Sequence, residues 1–263
     1  MIRLLSEADR VATVALLNAA PYFNLYMLGN LEKLGFERDF CEFWGDFDPA
    51  GMLSGVINRY MAGWSIWGNA DADWAGLGEV LDNHPVTGER LQDNPGGVAS
   101  FVPYLRRYVG AQEHIEELMA MQPADFQLVA APAGITIRRG SMADYPALVR
   151  LYADAGDMTR SPAGIERPLK DTRLWLAEAD GEILSAALTN AEITNAAMIG
   201  GVYTPPAQRG RGLSQAVCSA LCADLLKSGK QPVLYWDNPA AGTVYRKLGF
   251  QPRGQWRAVW LQK

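Results

Sequence analysis

Two apolar spacings alternate along this chain: short runs of strand length, and longer stretches with apolar residues every third or fourth position, as one helical face requires. In the first half they predict a strand opening at Ile2, helices over 8–19 and 22–34, and strands over 41–46, 52–59 and 62–68. A helix near 98–109 and a strand near 115–121 follow. In the second half they predict a strand over 135–139, helices over 142–154 and 162–170, and strands over 173–179, 182–190 and 194–204. A helix over 212–228, a strand over 232–236, a helix over 239–248 ended by Gly249, and two strand-like runs to Trp260 complete it. Glycine closes a helix well because it enters the left-handed region without steric cost.

The halves echo one another. Ile2-Arg-Leu-Leu-Ser-Glu-Ala-Asp9 is matched by Ile137-Arg-Arg-Gly-Ser-Met-Ala-Asp144, in each case a short strand, a serine placed to cap, and a helix. Leu53-Ser-Gly-Val-Ile-Asn58 is matched by Leu184-Ser-Ala-Ala-Leu-Thr-Asn190, each just after a turn, Asp48-Pro-Ala-Gly51 and Asp180-Gly181. The echoes come in the same order at nearly equal offsets, which points to duplication of one α+β unit. The proline-bounded stretch 123–134 is the expected linker, leaving domains at 1–122 and 135–263.

Composition narrows the class. With 49% hydrophobic and 20% charged residues the chain is an ordinary globular protein, and a net charge of -5 argues against nucleic acid as partner. No apolar run is long enough to span a membrane, and the first residues lack a signal peptide's apolar core. Cys41, Cys218 and Cys222 make no disulfide framework, and without a nearby histidine the last two are expected to be buried packing, with no metal. The expected setting is a reduced cytoplasm.

The strongest chemical signal is Ile199-Gly-Gly-Val-Tyr-Thr-Pro-Pro-Ala-Gln-Arg-Gly-Arg-Gly-Leu-Ser214. It reads as a strand stopped by two prolines, a glycine–arginine loop, and a helix with apolar positions 213, 217, 221 and 225 on one face. Free N–H groups at that helix start, under the helix dipole, form an anion site suited to phosphate. The stretch resembles the GNAT superfamily of acyl-CoA-dependent N-acetyltransferases. The family's loop is Arg/Gln-x-x-Gly-x-Gly/Ala, here Arg209-Gly-Arg-Gly212-Leu-Ser214, with serine departing from the last position. The resemblance implies two tandem GNAT-like units, each a mixed, mostly antiparallel twisted sheet flanked by helices. It also implies acetyl-CoA held by Arg209, Gly210, Arg211, Gly212, Leu213 and Ser214, with Val202, Tyr203 and Thr204 along the pantetheine arm. The first half has Gly68-Asn-Ala-Asp-Ala-Asp-Trp74 at the corresponding place, whose carboxylates would repel phosphate. It therefore looks like a degenerate copy without the cofactor site.

A second resemblance lies in Asn238-Pro-Ala-Ala-Gly-Thr-Val-Tyr245-Arg-Lys-Leu-Gly-Phe250. By that resemblance Asn238 would help hold CoA, and Tyr245, two helical turns on, would protonate the departing thiolate. A carboxylate or an ordered water must take the amine's proton; Glu192, in the short turn before the fourth strand of the second copy, is one candidate, and Glu178, Asp171 and Glu166 are others. A bulge expected in the fourth strand of the second copy would re-aim its side chains. The implied activity is transfer of an acetyl group from acetyl-CoA to an amine by direct attack in a ternary complex. The acceptor is expected to be a small molecule rather than a protein, and the enzyme a monomer or homodimer. Two other readings compete: Gly210-Arg-Gly212-Leu-Ser-Gln-Ala216 as a dinucleotide-binding turn, and a non-catalytic acyl-CoA-binding or partner-binding module.

Overall fold

The computed structural model of the protein describes residues 1–153 and 155–263. In chain order, the first half runs β1 (Ile2–Leu4), α1 (Arg10–Leu17), α2 (Leu25–Leu34), β2 (Cys41–Phe47), β3 (Leu53–Tyr60) and β4 (Gly63–Gly68). It continues through α3 (Trp74–Asn83), β5 (Arg90–Asp93), α4 (Pro95–Phe101) and β6 (Val109–Ala120). The second runs β7 (Thr136–Arg139), α5 (Tyr145–Ala153), α6 (Pro162–Asp171), β8 (Leu174–Ala179), β9 (Glu182–Glu192) and β10 (Ala196–Tyr203). Then come α7 (Leu213–Lys227), β11 (Gln231–Trp236), α8 (Pro239–Leu248) and β12 (Gln251–Gln262). The helix expected over 142–154 is a 3-10 turn at Met142–Asp144 followed by α5, and residue 154 lies outside the described residues.

Two compact α+β units result: Met1–Glu117 together with Gly254–Lys263, and Leu118–Arg253. In the first, β1, β2, β3 and β4 pair antiparallel in that order, and β5 then runs parallel to β4. In the second, β7, β8, β9 and β10 pair antiparallel in that order, and β11 then runs parallel to β10. The same strand order with the same single parallel step is what a duplicated unit predicts. The capping chemistry repeats as well. Ser6 and Asp9 form a capping box whose carboxylate takes two bonds from Arg3, at 2.6 and 2.8 Å. Ser141 and Asp144 form another whose carboxylate takes two from Arg138, at 2.7 and 2.9 Å. Charge-assisted bidentate pairs of this kind fix where strand turns into helix.

The cores follow the apolar periodicity. In the second unit Leu213, Val217, Leu221 and Leu225 of α7 are all buried beside Ala187, Ile199 and Leu234 of the sheet. In the first, Trp64, Leu77, Leu91, Phe101 and Val259 cluster with none more than 3% exposed.

The expected boundaries are corrected at both ends of the second unit. The stretch 123–134 is not a free linker, because Gln127 N–H donates to the Leu248 carbonyl at 3.0 Å and Val129 N–H to Ser219 Oγ at 2.9 Å. The final residues do not stay with the second unit either. They form one strand instead of two runs, and Arg257, Ala258, Val259 and Trp260 lie opposite Asp93, Gln92, Leu91 and Arg90 of β5. Two elements of the first unit, α3 and β5, had no expectation, and the helix expected near 98–109 begins earlier, at Pro95.

Candidate active site

The second unit opens where its parallel strands part. β10 and β11 pair from Ala196↔Gln231 to Ile199↔Leu234, and the pairing stops there. On its other side β10 stays with β9, through irregular register between Met198 and Ile199 and between Gly200 and Tyr203. The expected bulge is therefore present. Pairing with β11 ends at Ile199, while β10 runs on to Tyr203. The Tyr203 carbonyl accepts from Ser185 Oγ at 3.0 Å, and the Thr204 hydroxyl shares a bond with Ser185 at 2.8 Å.

Pro205 ends the strand and a 3-10 turn at Pro206–Gln208 leads into the loop. Gly210 has φ +79° and Gly212 has φ +75°, so both sit in the left-handed region that a side chain resists. Among the described residues, chain neighbours aside, nothing lies within 4 Å of a Cβ added to Gly210, and at Gly212 the nearest atom is Pro132 Cγ at 3.9 Å. The loop thus presents backbone to open space. Gly212 is the N-cap of the fifteen-residue α7, and its own carbonyl accepts from Ala216 N–H at 3.0 Å. The N–H groups of Leu213, Ser214 and Gln215 fall in the first turn, where a helix has no carbonyl to offer them. Arg209 Nε holds the Thr204 carbonyl at 3.0 Å, and Arg211 bonds to Gln208. These are the features that fit a pyrophosphate: bare backbone donors, a dipole end and two cations.

Asn238 caps α8, accepting from Ala240 N–H at 2.9 Å, and Pro239 takes the first helical position. Tyr245, 6% exposed, lies on that helix in the core shared with Leu213, Val217 and Cys218 of α7. Its ring meets Phe250 edge-on at 5.9 Å between centroids. Burial, reinforced by the neighbouring cysteines, pushes its phenol well above the usual tyrosine value. It is therefore protonated at any physiological pH. Cys218 is pushed up to about 12 by the same burial, which makes it inert packing rather than a nucleophile.

Glu192 is not brought to this opening, and that expectation is corrected. It ends β9 opposite Ala197, at the start of β10, while the opening begins beyond Ile199. Its carboxylate is 9% exposed and engaged by Arg173 Nη1, by Thr189 Oγ1 at 2.9 Å and by Lys230 Nζ at 4.0 Å. Such a pair anchors a strand end. Glu178 is bound to Arg138 and Glu166 to Lys170 on the exposed face of α6, while Asp171 ends that helix.

Around the bulge stand residues that the sequence alone did not single out. Tyr152 Oη of α5 donates to the Gly201 carbonyl. Arg160 Nη2 donates to Asn190 Oδ1 at 3.0 Å, and a Cβ on Gly200 or Gly201 would strike Asn190 or Arg160 respectively. The adjacent pair Gly200-Gly201 inside a strand was the available signal. A third echo was also readable: Asp93-Asn-Pro95 and Asp237-Asn-Pro239 stand at the ends of β5 and β11, and each asparagine caps the next helix.

Comparison with known proteins bears on the fold. Residues 175–259 match the family model described as GNAT acetyltransferase. No curated protein matches the chain. A Drosophila protein of solved structure is similar at 13% identity and TM-score 0.75, covering 99% of this chain and 98% of its own. A GCN5-related N-acetyltransferase from Sphaerobacter thermophilus is similar at 18% identity and TM-score 0.68, covering 98% of this chain and 94% of its own. A tandem GNAT protein from the clavulanic acid biosynthesis pathway is similar at 15% identity and TM-score 0.66, covering 100% of this chain and 98% of its own. The chain has the tandem GNAT fold, and the stretch that matches the family model lies mainly in its second unit.

Proposed function

We propose that the second unit of this tandem GNAT-fold protein transfers the acetyl group of acetyl-CoA to an amine, by direct attack within a ternary complex. The observation that carries this reading is the conjunction of the parted strands β10 and β11, the left-handed Gly210 and Gly212 at the start of α7, and Tyr245 beside α7. Gly210, Gly212 and the first turn of α7 would hold the pyrophosphate, with Arg209 and Arg211 neutralising it. The backbone of Val202 and Tyr203 would receive the pantetheine arm, and Asn238 would close the other wall. Bound acetyl-CoA supplies the thioester. The neutral amine's nitrogen forms its bond to the acetyl carbon as the carbon–sulfur bond breaks; the nitrogen gives up its proton to water, the Tyr245 proton passes to the sulfur, and the phenol recovers a proton from water after transfer. Burial does not disable Tyr245 for this, since a thiolate forming in the same apolar surroundings is penalised as a phenolate would be.

The cysteines of α7 are buried thiols, and this reading places no acyl group on them. The test is thiol release from acetyl-CoA across a panel of small amines, followed by mass analysis of the acetylated product. An N-acetylated product supports the reading. CoA binding without turnover on any amine would leave a binding module instead.

A further inference from the structure

The first unit lacks the glycine–arginine loop, yet it keeps an opening at the corresponding place. β4 and β5 pair in parallel from Gly63↔Arg90 to Ser65↔Gln92 and then part. Beyond that point lies a cavity of about 420 Å³, walled by Trp67, Trp74 and Tyr104, with Asn69, Asp93 and Asn94 as polar lining. This size is within the range of small-molecule sites, and an aromatic wall with a few polar groups is their usual lining. The aromatic walls are held by neighbours: Trp67 stacks on Phe23 at 6.4 Å, and Trp74 meets Phe101 edge-on at 6.2 Å.

Asp93 is the unusual member. It is 2% exposed, and its Oδ1 is buried with no hydrogen-bond partner among the described residues. Burial pushes its carboxyl well above the ordinary value, against the opposing bonds from Asn94. A buried carboxylate oxygen without a partner is costly, and an N–H⁺ group would satisfy both its charge and its lone pair.

The surroundings reject an anion. The loop from β4 to α3 carries Asp71 and Asp73 and no basic residue. Both nearby helix starts are already capped: Asp73 Oδ1 accepts from Gly76 N–H at 2.9 Å, and Asn94 Oδ1 from Gly97 N–H at 2.9 Å. A phosphate would meet carboxylates and occupied donors, whereas a protonated amine would meet a carboxylate and aromatic faces, which attract cations.

We infer that the cavity of the first unit binds a small organic ammonium ion, its N–H⁺ donating to Asp93 and its apolar body lying against Trp67, Trp74 and Tyr104. The site is separate from the acetyl-transfer reading and stands whether or not the second unit acetylates anything. In place of a lost CoA site, the duplication left a site of opposite charge preference.

Benzylamine, benzyl alcohol and benzoate are suitable probes, since they share a ring and differ in charge. Titrations of the full chain are followed through the indole N–H resonances of Trp67 and Trp74, assigned by Trp→Phe substitution. Benzylammonium should saturate these shifts with a Kd of about 1 mM, and benzyl alcohol and benzoate should bind at least about tenfold more weakly. Asp93→Asn should bring benzylamine to within about threefold of the alcohol, because the charge term is gone. Should Asp93→Asn fail to fold, Ala70→Trp, at an exposed position on the cavity lining, should abolish the shifts by filling the cavity. Equal binding of benzyl alcohol would mean that Asp93 is a neutral acid there, and would overturn the inference. So would CoA or benzoate saturating the same indole shifts at the concentration at which benzylammonium does, or benzylamine shifts that survive Ala70→Trp.

Discussion

At the scale of single residues the active-site reading rests on two atoms' worth of chemistry. Tyr245→Phe keeps the ring that packs against Phe250 and removes only the hydroxyl. It should lower kcat by about 10²-fold, the lower end for a positioned acid, with CoA affinity nearly unchanged. Steady-state kinetics beside CoA titration checks this; wild-type turnover in the variant would remove Tyr245 from the chemistry. Gly212→Val tests the loop. At φ +75° a β-branched residue is strained by roughly 1–3 kcal/mol, and relieving the strain must move the N–H groups of α7. CoA binding measured by calorimetry should weaken at least about tenfold, since 1.4 kcal/mol is a factor of ten. Both residues stand out in the sequence because their spacing from a turn carries the information. The surroundings of Glu192 do not, because the role of a carboxylate depends on what the fold brings to it. Its partners Arg173 and Lys230 come from β8's entry and the turn before β11, distant in sequence.

At the scale of elements, the periodic helices and the antiparallel hairpins were readable, and the elements that were missed share a cause. α3 starts at an aspartate cap within a run of small and acidic residues, and β5 is only four residues long. α4 contains Gly96 and Gly97, whose helix propensity is poor, so its true signal was the cap Asn94 with Pro95 behind it. The repeated capping boxes make a stability prediction. Arg138, with the Ser141 backbone and hydroxyl, holds Asp144 down at about 2, below its ordinary value near 4. A carboxylate depressed in the folded state contributes stability that is fully present above its unfolded pKa and is lost as pH falls through the folded one. Asp144→Asn should therefore cost about 1 kcal/mol at pH 7, a typical capping loss. The deficit relative to wild type should shrink between about pH 4 and pH 2, as wild type loses the same interaction. Chemical denaturation at a series of pH values measures it. A deficit that stays constant down to pH 2 would show that the ion pair is not the source.

At the scale of the whole molecule, duplication explains why the two units share strand order, capping and the Asp-Asn-Pro turn, and divergence explains why their openings differ in charge. The sequence echoes revealed the copy number but not where the chain's last segment goes, since a strand's partner is set by tertiary register rather than by local pattern. That placement carries the final prediction. Gly254–Lys263 belongs to the first unit, where Arg257 to Trp260 pair with β5, and Trp256 and Val259 are each 3% exposed. Burial of two such side chains contributes about 3–6 kcal/mol, a large share of a domain's net stability. A chain ending at Arg253 should therefore lose amide-exchange protection first in β5, the strand left unpaired on that side, and next in β4. Protection in β9, β10 and α7 should persist, because Leu118–Arg253 retains its own core. CoA should accordingly still bind the truncated chain, while the benzylammonium shifts of Trp67 and Trp74 should vanish. Equal loss of protection in β4 and β10 would mean that the terminal strand supports the whole molecule and not the first unit.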